Sequence, residues 1–180
     1  MSRFILFMSA MLILSLPAMA QHAAPYAGQQ DREIKALSES EIADLLAGRG
    51  MGLAKAAELN SYPGPLHALE LREALGLDAR QIAALEDQQR RMAAAAIALG
   101  QQIVAAEQAL DRLFAERRID ATEIETRSEQ IGRLQGRLRA VHLATHLETR
   151  ATLSDAQVRR YDELRGYAGL PASGGHRHRH

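Results

Sequence analysis

Apolar residues recur every seven positions through the middle of the chain, from Leu85 to Leu113. A second apolar set interleaves three or four residues away, a spacing typical of a helix packed along a nearly parallel partner. The first set is Leu85, Met92, Leu99, Ala106 and Leu113, and the second is Ala96, Ile103 and Leu110. This pattern predicts a long helix that ends near Arg117 and Arg118.

The spacing resumes on a second predicted helix between Thr122 and Arg150, at Ile124, Ile131, Leu134, Leu138 and Val141. Because the connection is short, we expect the two helices to form an antiparallel hairpin. A second stripe of small and apolar residues lies on another face of this helix, at Gly132, Gly136, Leu143 and Leu147. The stripe predicts a covering helix or a second subunit.

Four sites have the spacing of helix N-caps, in which a side-chain oxygen precedes a Glu or Gln by three residues. They are Ser38 with Glu41, Asp78 with Gln81, Asp120 with Glu123, and Ser154 with Gln157. The first predicts a short helix ending near Gly48, and the last predicts a helix to about Tyr167. Two further short helices are expected, one between Met51 and Asn60 and one from Pro65 to Leu75. The predicted fold is all-α, a long helical hairpin with short flanking helices.

The first 20 residues resemble a secretory signal peptide, with Arg3, an apolar run and Ala18-Met19-Ala20 before the cut. We therefore expect export to the periplasm, with an uncleaved inner-membrane anchor as the alternative. Residues 21–37 are interpreted as a flexible lead, residues 38–168 as the helical domain, and residues 169–180 as a disordered His/Arg tail.

The composition excludes several kinds of site. There is no cysteine, which rules out disulfides, thiolate metal sites and cysteine nucleophiles. Lys plus Arg and Asp plus Glu both number 22, so no charge excess indicates nucleic acid as a partner. No nucleophile–base pair is apparent in the sequence, and we do not expect an enzyme.

His142 and His146 stand one helical turn apart, a spacing at which two imidazoles can share one metal ion. The alternative is that both are half-exposed polar residues beside an interface. Two imidazoles are half of a site, and His67 is the most plausible third ligand. Weaker candidates are Met51, Glu58, Glu70 and Glu86. The ion would be zinc, nickel, cobalt or copper.

Leu77-Asp78-Ala79-Arg80-Gln81 and Leu153-Ser154-Asp155-Ala156-Gln157 resemble the paired Leu-Thr-x-x-Gln motifs of the Spy/CpxP superfamily. Asp78 and Ser154 stand where the family has threonine, and both preserve the capping chemistry. The resemblance covers roughly residues 64–167 and includes the order of export signal, long hairpin and short last helix.

The resemblance implies helical hairpins that form intertwined homodimers. Some members sense or buffer metals, and others are ATP-independent periplasmic chaperones. In the nickel–cobalt sensor branch, a His and a Met four residues apart precede the second motif, and His142 and His146 occupy the matching place. A His-x-x-x-His pair ahead of the first motif is missing here, where only His67 occurs.

Two functions follow from these observations as hypotheses. The first is a periplasmic metal-binding sensor or resistance accessory protein. The alternative is a chaperone or envelope-stress adaptor that needs no metal. The expected partners are a second copy of the chain and either an inner-membrane signalling protein or unfolded client proteins.

Overall fold

The structure is a computed structural model, and it describes residues 24–168. The predicted signal peptide and the His/Arg tail from residue 169 lie outside the described residues. The chain divides into two compact units, with the boundary after Asp31. Residues 24–31 make hydrogen-bonded turns, with Ala27 N–H donating to the Ala24 carbonyl at 2.9 Å.

In the second unit, all regular secondary structure between Arg32 and residue 168 is helical. Six helices are present in the described part of the chain: α1 Glu39–Leu46, α2 Lys55–Glu58, α3 Pro65–Glu70, α4 Ala79–Ala115, α5 Ala121–Thr152 and α6 Asp155–Arg165. The long helices α4 and α5 pack together, and α1 and α3 pack against α4. The predicted all-α class is therefore confirmed. None of these helices combines the length and the apolar character that a membrane crossing would need.

All four predicted N-caps are present. The side chains of Ser38, Asp78, Asp120 and Ser154 each accept a hydrogen bond from the backbone N–H three residues later. Three of the four are reciprocal capping boxes. At Asp120 the Glu123 carboxylate instead binds Arg127, at 3.0 Å. The caps fix the helix starts because each satisfies a backbone donor that has no partner inside its helix.

The long-helix seam follows the predicted heptads over most of its length. One buried cluster lies between α4, α5 and α1, and it consists of Leu45, Ala96, Leu99, Ile103, Ala106, Ile131, Leu134 and Leu138. Gly100 allows the close approach of α1, since a Cβ there would lie 2.0 Å from the Leu45 carbonyl oxygen. Ile124 is an exception to the pattern and is exposed.

One predicted helix end is wrong. The helix from Pro65 stops at Glu70 rather than Leu75, because residues 71–76 close turns such as Gly76 N–H to the Glu73 carbonyl. Residues before the predicted boundary at 38 also contact the helices. Ile34 is buried there, and the backbone N–H of Lys35 donates to Asp111 on α4.

A second buried cluster lies where α3, α4 and α6 meet, and it comprises Ala68, Leu75, Leu85, Leu153, Val158 and Tyr161. At the edge of this cluster, hydrogen bonds connect the capping box of α4 with that of α6. Gln81 and Gln157 exchange reciprocal amide hydrogen bonds of 2.9 and 3.0 Å. Each glutamine also accepts a hydrogen bond from the backbone N–H of its own cap residue. In addition, Gln81 donates to the carbonyl of Thr152, and Gln157 donates to the carbonyl of Leu75.

We expect this amide pair to couple the two helix starts energetically. Gln81→Leu should lower the free energy of unfolding by about 2 kcal/mol, because it leaves part-buried partners without hydrogen bonds. Gln157→Leu should cost a similar amount, and the double variant should cost clearly less than the sum of the two. Urea unfolding of the four proteins measures this coupling. Strict additivity would show that the two glutamines stabilise the fold independently.

Candidate functional site

His142 and His146 both lie on α5 and both are buried, with 2 and 9% of their surface exposed. Both side chains are therefore more buried than the half-exposed positions that the alternative interpretation expected. The reason is that α2 and α3 also pack against α5. The segment between these short helices covers the His146 side of α5.

His146 is held by the backbone of the loop that joins α2 to α3. Its Nδ1 lies 2.8 Å from the Tyr62 carbonyl oxygen, which can only accept, so Nδ1 carries the proton and Nε2 keeps its lone pair. The ring packs directly on Gly64, where an added Cβ would lie 3.0 Å from Nε2. The loop therefore fixes both the tautomer and the orientation of the imidazole.

Glu58, at the end of α2, contributes a carboxylate to the same place. Its Oε2 lies 3.6 Å from His146 Nδ1, and the side chain is 13% exposed. Oε2 is buried and has no hydrogen-bond partner among the described residues. Oε1 accepts a hydrogen bond from the Tyr161 hydroxyl and lies 3.6 Å from Arg165 Nε. Glu58 thus bridges His146 on α5 and two side chains of α6.

The imidazole of His142 is more buried than that of His146. Its Nε2 is buried without a hydrogen-bond partner in the part of the chain that the structure describes. Burial, together with the neighbouring His146, lowers the pKa of His142 below its ordinary value. The ring is therefore kept neutral, and neutral imidazole is the form that binds metal ions.

His67, the expected third ligand, pairs with a carboxylate of its own helix. Its Nδ1 lies 3.0 Å from the carboxylate of Glu70, one helical turn away on α3, and the side chain is 38% exposed. Glu70, Glu86 and Met51, the weaker candidates, are all exposed. The structure thus brings Glu58, not His67, next to His146.

Two imidazoles and one carboxylate are a ligand set suited to zinc, nickel, cobalt or cupric ions. Glu58 Oε2 lies 3.6 Å from His146 Nδ1, the nitrogen that donates to Tyr62, so an ion shared with Glu58 would have to bind His146 through Nε2. Within residues 24–168, however, no three His, Asp or Glu side chains already have the geometry of a metal site. Binding an ion there would require side-chain rotation.

Comparison with known proteins identifies no relative: no family model, no curated protein and no solved structure matches the chain. The likeness to the Spy/CpxP superfamily therefore rests on the two cap signatures and the order of elements, and nothing further supports membership.

The lowered pKa of His142 predicts a pH dependence of stability in the metal-free protein. As pH falls below about 6.5, the unfolded chain takes up a proton at His142 that the folded chain binds less readily. The free energy of unfolding should therefore fall over this range, and continue falling until the folded-state pKa is reached. Urea unfolding in chelator at pH 8.0, 6.5 and 5.5 measures the effect. His142→Gln should flatten this dependence, and an unchanged slope in the variant would contradict the assignment.

Proposed function

We propose that this protein binds a divalent transition metal through His142, His146 and Glu58. The observation that carries the proposal is that two of the five buried side-chain atoms without a hydrogen bond among the described residues are Nε2 of His142 and Oε2 of Glu58. A buried acceptor left unpaired costs about 1–3 kcal/mol, and a bound cation would offset that cost. Both atoms belong to groups that ligate such ions.

In the cell, we propose the role of a periplasmic heavy-metal sensor or resistance accessory protein, without catalytic activity. The Leu153–Gln157 signature and the histidine pair that precedes it support this role through their resemblance to the sensor branch of the Spy/CpxP superfamily. The expected signal peptide supports export, and a partner at the inner membrane would receive the signal. Zinc, nickel, cobalt and copper all remain candidate ions, because imidazole and carboxylate ligands accept each of them.

The metal proposal is tested by titrating zinc, nickel and cobalt into the mature protein by calorimetry. The three tail histidines are first replaced, by His176→Gln, His178→Gln and His180→Gln, because they could bind metal independently. We expect one ion per chain. The His142→Ala, His146→Ala double variant should lose this binding, and Glu58→Gln should weaken it at least about tenfold, since a charged ligand is replaced by a neutral one.

His67→Gln is the matched control, because it alters a histidine whose described contact is with Glu70 on its own helix. It should bind as the parent does. A loss of affinity in His67→Gln with none in Glu58→Gln would restore His67 as the third ligand. Equal binding by the parent and the double histidine variant would refute the site altogether.

We also propose that α4 and α5 form an antiparallel hairpin that pairs with a second copy of the chain, as an intertwined homodimer. Arg91 of α4 binds Glu148 of α5 at 2.8 Å, near the start of one helix and the end of the other, which supports the antiparallel arrangement. The stripe of Gly132, Gly136, Leu143 and Leu147 supports the pairing. Leu147 is 61% exposed, and nothing described lies within 4 Å of a Cβ added at either glycine.

Light scattering at micromolar concentration should give the mass of a dimer. Gly136→Gln should shift the protein toward monomer, because a long polar side chain would enter the close helix contact. Within one chain the space at Gly136 is open, so helicity should be retained. Gln135→Ala, on the same turn but outside the stripe, is the control. A monomeric parent protein would rule out the dimer.

A chaperone or stress-adaptor role is the second candidate, and one observation favours it. A depression of about 480 Å³ near the junction of α4 and α5 is lined by Ala36, Leu110 and Phe114, and Phe114 is 54% exposed. An exposed apolar surface of this kind suits unfolded client proteins. Undiminished suppression of aggregation by the His142→Ala, His146→Ala variant would favour this role over metal sensing.

A further inference from the structure

We infer that Tyr161 is a positioning residue for the metal site, holding the Glu58 carboxylate so that its free oxygen faces His146. The inference rests on the proposed metal binding and adds α6 to the site. Tyr161 is completely buried in the second apolar cluster, and its hydroxyl donates to Glu58 Oε1. Burial and the contact with Glu58 raise the pKa of Tyr161, so the hydroxyl remains protonated and is a donor.

The two carboxylate oxygens of Glu58 have separate surroundings. Oε1 faces α6, where it receives the Tyr161 hydroxyl and lies near Arg165 Nε, whereas Oε2 faces His146 and has no described hydrogen-bond partner. A metal ion bound to Oε2 would leave the Tyr161 hydrogen bond intact. Hydrogen bonds to the second oxygen of a ligating carboxylate orient it and raise metal affinity.

Arg165 is itself held in place at the end of α6. Its guanidinium lies over the ring of Tyr167, with 5.7 Å from Cζ to the centroid, and Nη2 donates to the Tyr167 hydroxyl at 3.3 Å. The guanidinium lies beside the carboxylate, with Nε 3.6 Å from Oε1. Tyr161 and Arg165 therefore act on the same oxygen from the same helix.

This arrangement links metal occupancy to the docking of α6. If the Tyr161–Glu58 hydrogen bond strengthens the site, then by reciprocity a bound ion must stabilise the contact between α2 and α6 by the same free energy. Backbone amides of residues 155–165 should therefore exchange more slowly with zinc present. The helix that leads to the C-terminal tail would thus respond to the metal.

The experiment is a double-mutant cycle on zinc affinity, with the three tail histidines replaced by glutamine throughout. Tyr161→Phe keeps the buried ring and removes only the hydroxyl. It should weaken zinc binding by about 10- to 100-fold. In a Glu58→Gln background the same substitution should change affinity less than about twofold, because the group it orients is no longer a carboxylate. Tyr26→Phe, which removes the hydroxyl of an exposed tyrosine outside the site, is the matched control and should bind as the parent does.

Each outcome decides a different question. If the parent binds no zinc, the proposed function fails, and this inference fails with it. If the parent binds zinc and Tyr161→Phe binds equally well, only the positioning role is overturned. If Tyr161→Phe lowers zinc affinity equally in the parent and in the Glu58→Gln background, Tyr161 acts through the general stability of the fold. Should Tyr161→Phe lose helicity, Arg165→Gln replaces it in the cycle, and an unchanged affinity there would overturn the inference.

Discussion

The reciprocal amide hydrogen bonds between Gln81 and Gln157 are the constraint on which the candidate site depends. Each glutamine closes its own capping box with its carbonyl oxygen and joins the other cap with its amide. The starts of α4 and α6 are therefore fixed to each other, although they are 76 residues apart in the chain. Fixing the start of α6 also fixes Tyr161, two turns later, against α2. The position of Glu58 therefore depends on helix capping as well as on its own short helix.

The interior of the molecule changes character along α5. Toward the turn into α4, the buried side of α5 is apolar, with Ile131, Leu134 and Leu138. Beyond Val141 the buried residues are His142, Thr145, His146 and Thr149. Thr149 donates to the amide oxygen of Gln88, whose nitrogen donates to Thr152, so this network is satisfied by hydrogen bonds. A polar interior with specific partners selects one arrangement of helices more sharply than apolar packing does.

This change explains what could be predicted from the sequence. The caps were predictable because each depends on residues three apart, and the α4 seam because it repeats every seven residues. The burial of His142 and His146 could not be predicted in this way. The buried face of α5 becomes polar at these residues, and the heptad pattern is read from apolar residues only. The position of Glu58 was beyond sequence reasoning as well. It lies on a four-residue helix and meets Tyr161 across 103 residues, and no local pattern encodes such a contact.

The histidine spacing alone is weak support for a metal site, since i, i+4 pairs occur on many helices. The stronger argument comes from the neighbouring polar network, where Gln88, Thr149 and Thr152 complete each other's hydrogen bonds. Against that background, His142 Nε2 and Glu58 Oε2 are buried without described partners, as are atoms of Gln89, Asp162 and Arg165. Unpaired buried atoms in a native fold require an explanation such as a bound ion or water. Because one atom belongs to a carboxylate and the other to an imidazole whose pKa is lowered by burial, a bound cation is the explanation that we propose for these two.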